Sequence, residues 1–190
     1  MESLSKSLLR KMILQYRRLI KGSDFACRNE LLIDRVKLFL SRKNIKKLHT
    51  FLAMERNCEP DISPLFPWLA ETGVKVIVSK TNFEMYEMRH FSLTESTALV
   101  KNKFGIPEPT NSEEASIENL DLIFVPLLLC DKEGFRIGYG GGYYDRLLSE
   151  TKALKVGLSL SPPADIILQR EEWDIPLDYL ITPFKTYNYG

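Results

Sequence analysis

The chain has 190 residues, 44% of them hydrophobic, and a formal net charge of +1 at pH 7. That predicts a single domain, 1–190, with a sizeable core, and it excludes a global electrostatic pull toward nucleic acid or an anionic membrane. The odd, widely spaced set Cys27, Cys58 and Cys130 argues against a disulfide scaffold, Met1–Arg10 lacks a signal-peptide apolar region, and no run reaches the ~20 apolar residues of a membrane span, so a cytoplasmic protein with reduced thiols is expected.

Leu4, Leu8, Met12, Tyr16 and Leu19 recur at helical spacing, joined by Leu9, Ile13 and Ile20, and predict an amphipathic helix ending near Gly22, with Lys6, Arg10 and Arg17 on another face. Ser23 or Asp24 can cap a second helix running to about Ser41. Lys47–Ala53 reads as a strand. Asp61–Glu71 reads as a helix, with Pro64 and Pro67 tolerated only near its first turn. Val74–Ser79 is a β-branched run suited to a buried parallel strand, and Met85–Leu93 reads as a more exposed one. Lys101–Ala115 carries Gly105, Pro107 and Pro109 and reads as a loop. Strands are predicted at Asp121–Val125, Leu154–Leu160 and Asp178–Thr182, the last in the chain. Helices are predicted at Tyr143–Ser149 and, briefly, at Ile166–Arg170. There is no internal repeat. Alternating strands and helices predict an α/β fold: a mainly parallel central sheet flanked by helices, Rossmann-like and three-layered, with a helical N-terminal segment.

Gly134–Arg146 is the most informative stretch, holding five of the chain's ten glycines. A glycine-rich bend entering a helix leaves backbone N–H groups unpaired, and no Cβ blocks a phosphate. Asp145 falls in the first helical turn, where a carboxylate is favoured and could hold Mg²⁺. Arg136 and Arg146 flank the bend. No Gly-Lys-Ser/Thr ends it, so it is not a Walker A loop. Tyr143 stands where a dinucleotide fingerprint needs its third glycine.

Arg136–Arg146, Arg-Ile-Gly-Tyr-Gly-Gly-Gly-Tyr-Tyr-Asp-Arg, resembles the signature of the 5-formyltetrahydrofolate cyclo-ligase (5,10-methenyltetrahydrofolate synthetase) family. Lys6–Arg10, Phe51–Met54 followed by Glu59, Phe104–Pro109, Asp121–Pro126 and Trp173–Asp178 resemble other blocks of that family, in order. The resemblance implies ATP-dependent conversion of 5-formyltetrahydrofolate to 5,10-methenyltetrahydrofolate, through phosphorylation of the formyl oxygen and attack by the folate's N10. It implies that Lys6, Arg10 and Arg136 contact ATP phosphates, with Gly138, Tyr139, Gly140, Gly141 and Gly142 cradling them. Tyr143 and Tyr144 would border the nucleotide–folate junction. Leu52 and Glu59 would line the folate side, with Glu55 as a rival to Glu59. Asp145 and Asp174 would hold Mg²⁺. Arg136, Tyr143 and Asp145 are the expected catalytic residues.

This chain departs from the family pattern at Tyr139 and Gly141, where some relatives carry basic residues, and at Trp173, where relatives have histidine. A monomer acting on ATP and the folate is expected, with no nucleic-acid or membrane partner. The alternatives are a nucleotide- or folate-binding relative without catalysis and, more remotely, an RNA-binding module using the basic N-terminal helices. His49 and His90 match no metal-ligand spacing.

Overall fold

The computed structural model describes residues 5–190. Leu4, assigned above to the first helix, lies outside them. The helix α1 spans Lys6–Arg17, and the Ser5 hydroxyl caps it by accepting the Leu8 N–H at 3.3 Å. Its inward face is mixed rather than purely apolar. Leu8, Met12 and Tyr16 are exposed, whereas Lys6, Arg10 and the buried Arg17 turn inward beside the half-buried Leu9 and Ile13. The helix α2, Gly22–Ser41, starts earlier than the predicted caps. Lys21 is its N-cap, and Asp24 sits in the first turn, where it pairs with Arg28 at 2.8 Å.

The main sheet has seven strands: β1 (Lys47–Thr50), β2 (Lys75–Asn82), β3 (Glu87–Leu93), β6 (Leu122–Pro126), β9 (Leu154–Leu158), β10 (Tyr179–Ile181) and β11 (Thr186–Asn188). Their spatial order is β11-β10-β9-β6-β1-β2-β3. The five inner strands run parallel, and β3 and β11 close the edges antiparallel. A buried parallel strand reads as a continuous apolar run because both faces are covered. In β6, Leu122 and Phe124 enter the core beneath α2 and α3 (Phe66–Glu71), with Leu32, Val36 and Leu69. Ile123 and Val125 enter the other core, beneath α4 (Tyr143–Ser149), with Leu147 and Leu148. Each such side chain contributes roughly 1.5–3 kcal/mol on burial. The three-layer α/β arrangement is thus a direct result of strand alternation.

Several predicted elements differ from the structure. The Asp61–Glu71 helix splits into a 3₁₀ turn at Ser63–Leu65 and α3, with proline in the opening turn of each. Lys101–Ala115 is not all loop: β4 (Leu99–Lys101) and β5 (Pro107–Pro109) pair antiparallel. A hairpin of β7 (Leu129–Cys130) and β8 (Arg136–Ile137) precedes the glycine run. Ile166–Arg170 is not helical. Pro162 and Pro163 precede it, the Ala164 N–H donates to the Cys130 carbonyl, and the Leu168 N–H donates to buried Asp131 at 3.1 Å, which holds the segment open. The Asp178–Thr182 strand is not the last, since β11 follows and pairs with it.

Candidate active site

A cavity of about 470 Å³ opens beyond the carboxyl ends of β1, β2 and β6. The strand β1 lies between β2 and β6, so the strand order changes direction there. Such switch points leave a crevice where connections depart to opposite faces. Leu52 and Met54 follow β1, Ser79 and Thr81 come from β2, and Pro126 ends β6. The helix α1, the glycine run and the Glu171–Asp174 turn form the remaining wall.

The hairpin β7–β8 delivers Arg136, and the loop Gly138–Gly142 crosses to α4. Gly140 (φ +98°) and Gly142 (φ +66°) adopt left-handed backbone that side chains disfavour. A Cβ on Gly141 would stand 2.6 Å from the Tyr143 ring. Among the described residues, no backbone N–H from Gly138 to Gly142 donates to the protein, so these donors are free on a loop that lines the cavity. Arg10 Nε donates to the Gly138 carbonyl at 3.0 Å and steadies the loop from α1.

The charges come in pairs. Arg136, its side chain only 5% exposed, donates to Asp145 Oδ1 at 2.7 Å and to the Ile175 carbonyl at 2.5 Å. Lys6 donates to Asp174 Oδ2 at 2.6 Å, which also accepts the Glu171 N–H at 2.9 Å. Three cations, Lys6, Arg10 and Arg136, and three carboxylates, Asp145, Asp174 and Glu171, therefore line one wall. Among the described residues, no group of three His, Cys, Asp or Glu is placed to hold a metal by itself. Two carboxylates do fit Mg²⁺, which keeps several waters and arrives coordinated to phosphates.

On the opposite wall Glu59 is 3% exposed. Its Oε2 accepts the Met54 N–H at 2.7 Å, and its Oε1 accepts the Tyr139 hydroxyl at 2.5 Å. Burial pushes its carboxyl above the usual range, while the Tyr139 and Met54 bonds and the Arg17 charge oppose that rise. Burial, and then the Glu59 charge, push the Tyr139 hydroxyl up in turn. Glu55 lies outside the cavity, pairing with Lys101 on the surface at 2.7 Å. Leu52 joins Glu59 in the lining.

Tyr143 packs edge-on to Phe83 at 5.9 Å, and the Arg146 guanidinium lies 4.9 Å over its ring. Tyr144 reaches both cores and packs edge-on to His49 at 6.1 Å; among the described residues its buried hydroxyl has no hydrogen-bond partner. Trp173 is exposed on the rim. Every expected site residue thus lines one cavity. Phe83, Ile106 and Pro107 line it too without having been singled out one by one, although the Phe104–Pro109 block was. Arg17 was seen only as a face-mate of Lys6 and Arg10. It is buried behind the site, donating to the Leu127 carbonyl at 2.5 Å.

A family model described as the 5-formyltetrahydrofolate cyclo-ligase family matches residues 2–183. The chain is similar to the 5-formyltetrahydrofolate cyclo-ligase of Escherichia coli, 31% identical over 137 residues, covering 69% of this chain and 75% of that one. It is 26% identical over 190 residues to the Mus musculus protein of the same name, covering 93% of each. The solved structure of Aquifex aeolicus 5,10-methenyltetrahydrofolate synthetase superposes with a TM-score of 0.83 at 34% identity, covering 98% of this chain and 93% of that one.

Proposed function

The chain belongs to the 5-formyltetrahydrofolate cyclo-ligase family, and from that premise we propose that it converts 5-formyltetrahydrofolate and ATP to 5,10-methenyltetrahydrofolate, ADP and phosphate. The observation that carries this reading is one cavity with a strip of free backbone donors on one wall and a buried carboxylate on the other.

An N-formyl group is a weak electrophile because its nitrogen lone pair is delocalised onto oxygen. Transfer of the γ-phosphoryl to that oxygen turns it into a leaving group. The folate's N10 then attacks the activated carbon, loses its proton to water, and phosphate departs with the former formyl oxygen. No enzyme nucleophile is needed. The protein must align the two substrates and compensate charge.

Lys6, Arg10 and Arg136 meet the phosphates, together with the Gly138–Gly142 amides. Asp145 and Asp174 hold Mg²⁺, which neutralises phosphate charge when bound. The Lys6–Asp174 pair leaves two ammonium hydrogens and Asp174 Oδ1 available for these roles. Glu59 receives paired N–H donors of the pterin ring, since a carboxylate accepts two in parallel. Leu52 packs beside it, and Tyr143 and Tyr144 border the junction. The enzyme acts as a monomer on this reading, and the three free cysteines suit the reducing cytoplasm.

The test is direct. Purified chain with MgATP and 5-formyltetrahydrofolate yields the methenyl chromophore and ADP in equal amounts. A folded preparation that binds both substrates and turns over neither would instead be a catalytically inactive relative.

A further inference from the structure

The phenol of Tyr139 belongs to both walls of the cavity. Its backbone lies in the loop of free amides, while its hydroxyl donates to Glu59 at 2.5 Å. Between Gly138 and Gly142 it is the only residue with a side chain, so no other side chain of the loop can reach a wall. The loop's other ties lie at its ends: the Arg10 bond to the Gly138 carbonyl, from the α1 side, and the Arg146 N–H to the Gly142 carbonyl at 3.2 Å, where α4 begins. Glu59 is equally dependent. Among the described residues it has no ion-pair partner, and Tyr139 and the Met54 N–H are its two hydrogen-bond donors. A carboxylate oxygen accepts more than one bond, so the donors of an incoming ligand can join the phenol without displacing it.

A ligand on Glu59 therefore fixes the carboxylate, the carboxylate fixes the phenol, and the phenol fixes the loop. Phosphate on the loop acts along the same chain in reverse. Resting on the reading of this cavity as an ATP and folate site, we propose that Tyr139 is a positioning residue that couples the two substrates. Each strengthens binding of the other, and linkage requires the two factors to be equal.

The experiment measures binding of the Mg²⁺ complex of a non-hydrolysable β,γ-imido ATP analogue by calorimetry, with and without saturating 5-formyltetrahydrofolate, and then the reverse. The full chain tightens by roughly tenfold in both directions. Tyr139→Phe keeps the ring and the loop backbone but lowers the factor below about twofold. A purely structural role would weaken the separate affinities and leave the factor unchanged. An unchanged factor in the variant, or no coupling in the parent chain, overturns the proposal. Backbone order parameters provide a measurement without mutation: folate alone raises them across 138–142, and unaltered values also overturn it. The separate affinities, taken first in the same titrations, test the underlying reading. If either ligand fails to bind, that reading falls and the coupling falls with it.

Discussion

His49 makes the acid sensitivity of the fold predictable. It is fully buried in β1, between Ile77 and Ile123 of the neighbouring strands. Its Nε2 lies 3.3 Å from Nδ1 of His90, and its own Nδ1 has no hydrogen-bond partner among the described residues. Burial first, and then neighbouring His90, push its pKa down to about 3. An unfolded histidine titrates near 6.5. Between these values the unfolded chain binds the extra proton, so stability is full above about pH 6.5 and falls as the pH drops toward 3. The slope approaches about 1.4 kcal/mol per pH unit, and the loss between pH 7 and pH 5 is about 2 kcal/mol. Carboxylates titrate in the same range, so the comparison needs a control. Urea denaturation of the parent and of His49→Leu at both pH values isolates the contribution. The variant's pH-induced loss is smaller by about 2 kcal/mol. Equal losses in the two proteins would refute the assignment of a neutral, desolvated His49.

Three further outcomes follow from the geometry. Glu59→Gln raises the folate KM about 10- to 100-fold, the worth of charge-assisted bonds, whereas Glu55→Gln stays within about twofold in steady-state assays; equal effects would remove Glu59 from the folate wall. Asp145→Asn removes the negative charge beside Arg136 and lowers kcat by about 100-fold or more, while folate binding measured without nucleotide is retained. Asp131 is fully buried and accepts the N–H groups of Glu133, Phe135 and Leu168, so Asp131→Ala strands three donors and costs about 3 kcal/mol in urea denaturation; a change below about 1 kcal/mol would contradict that role.

What the sequence revealed, and what it hid, follows from how far apart the deciding contacts lie. Leu122–Val125 reads as a buried strand because both its faces are covered, and its composition says so locally. The glycine run is equally local, since its chemistry is backbone chemistry. The strands β4, β5 and β11 have three residues each, too short to leave a periodic mark. Ile166–Arg170 carries a weak helical pattern that bonds to Cys130 and Asp131 override. Tyr139 sits among phosphate-facing glycines in the sequence, yet its hydroxyl is engaged by a carboxylate 80 positions away. Glu55 and Glu59 look interchangeable along the chain; only the turn after Glu55–Asn57, with Cys58 in left-handed backbone, separates an exposed carboxylate from a buried one. For α1, apolar periodicity finds the helix correctly but cannot tell that Lys6, Arg10 and Arg17 turn inward beside Leu9 and Ile13 while Leu8, Met12 and Tyr16 stay exposed.

The exposed rim position of Trp173 has an optical consequence. The chain has only two tryptophans, and the other, Trp68 on α3, packs against the core and does not line the cavity. A ligand entering the cavity changes the solvent around one indole and leaves the other alone. Intrinsic emission therefore reports occupancy without a label, and Trp173→Phe supplies the silent background against which that signal is read.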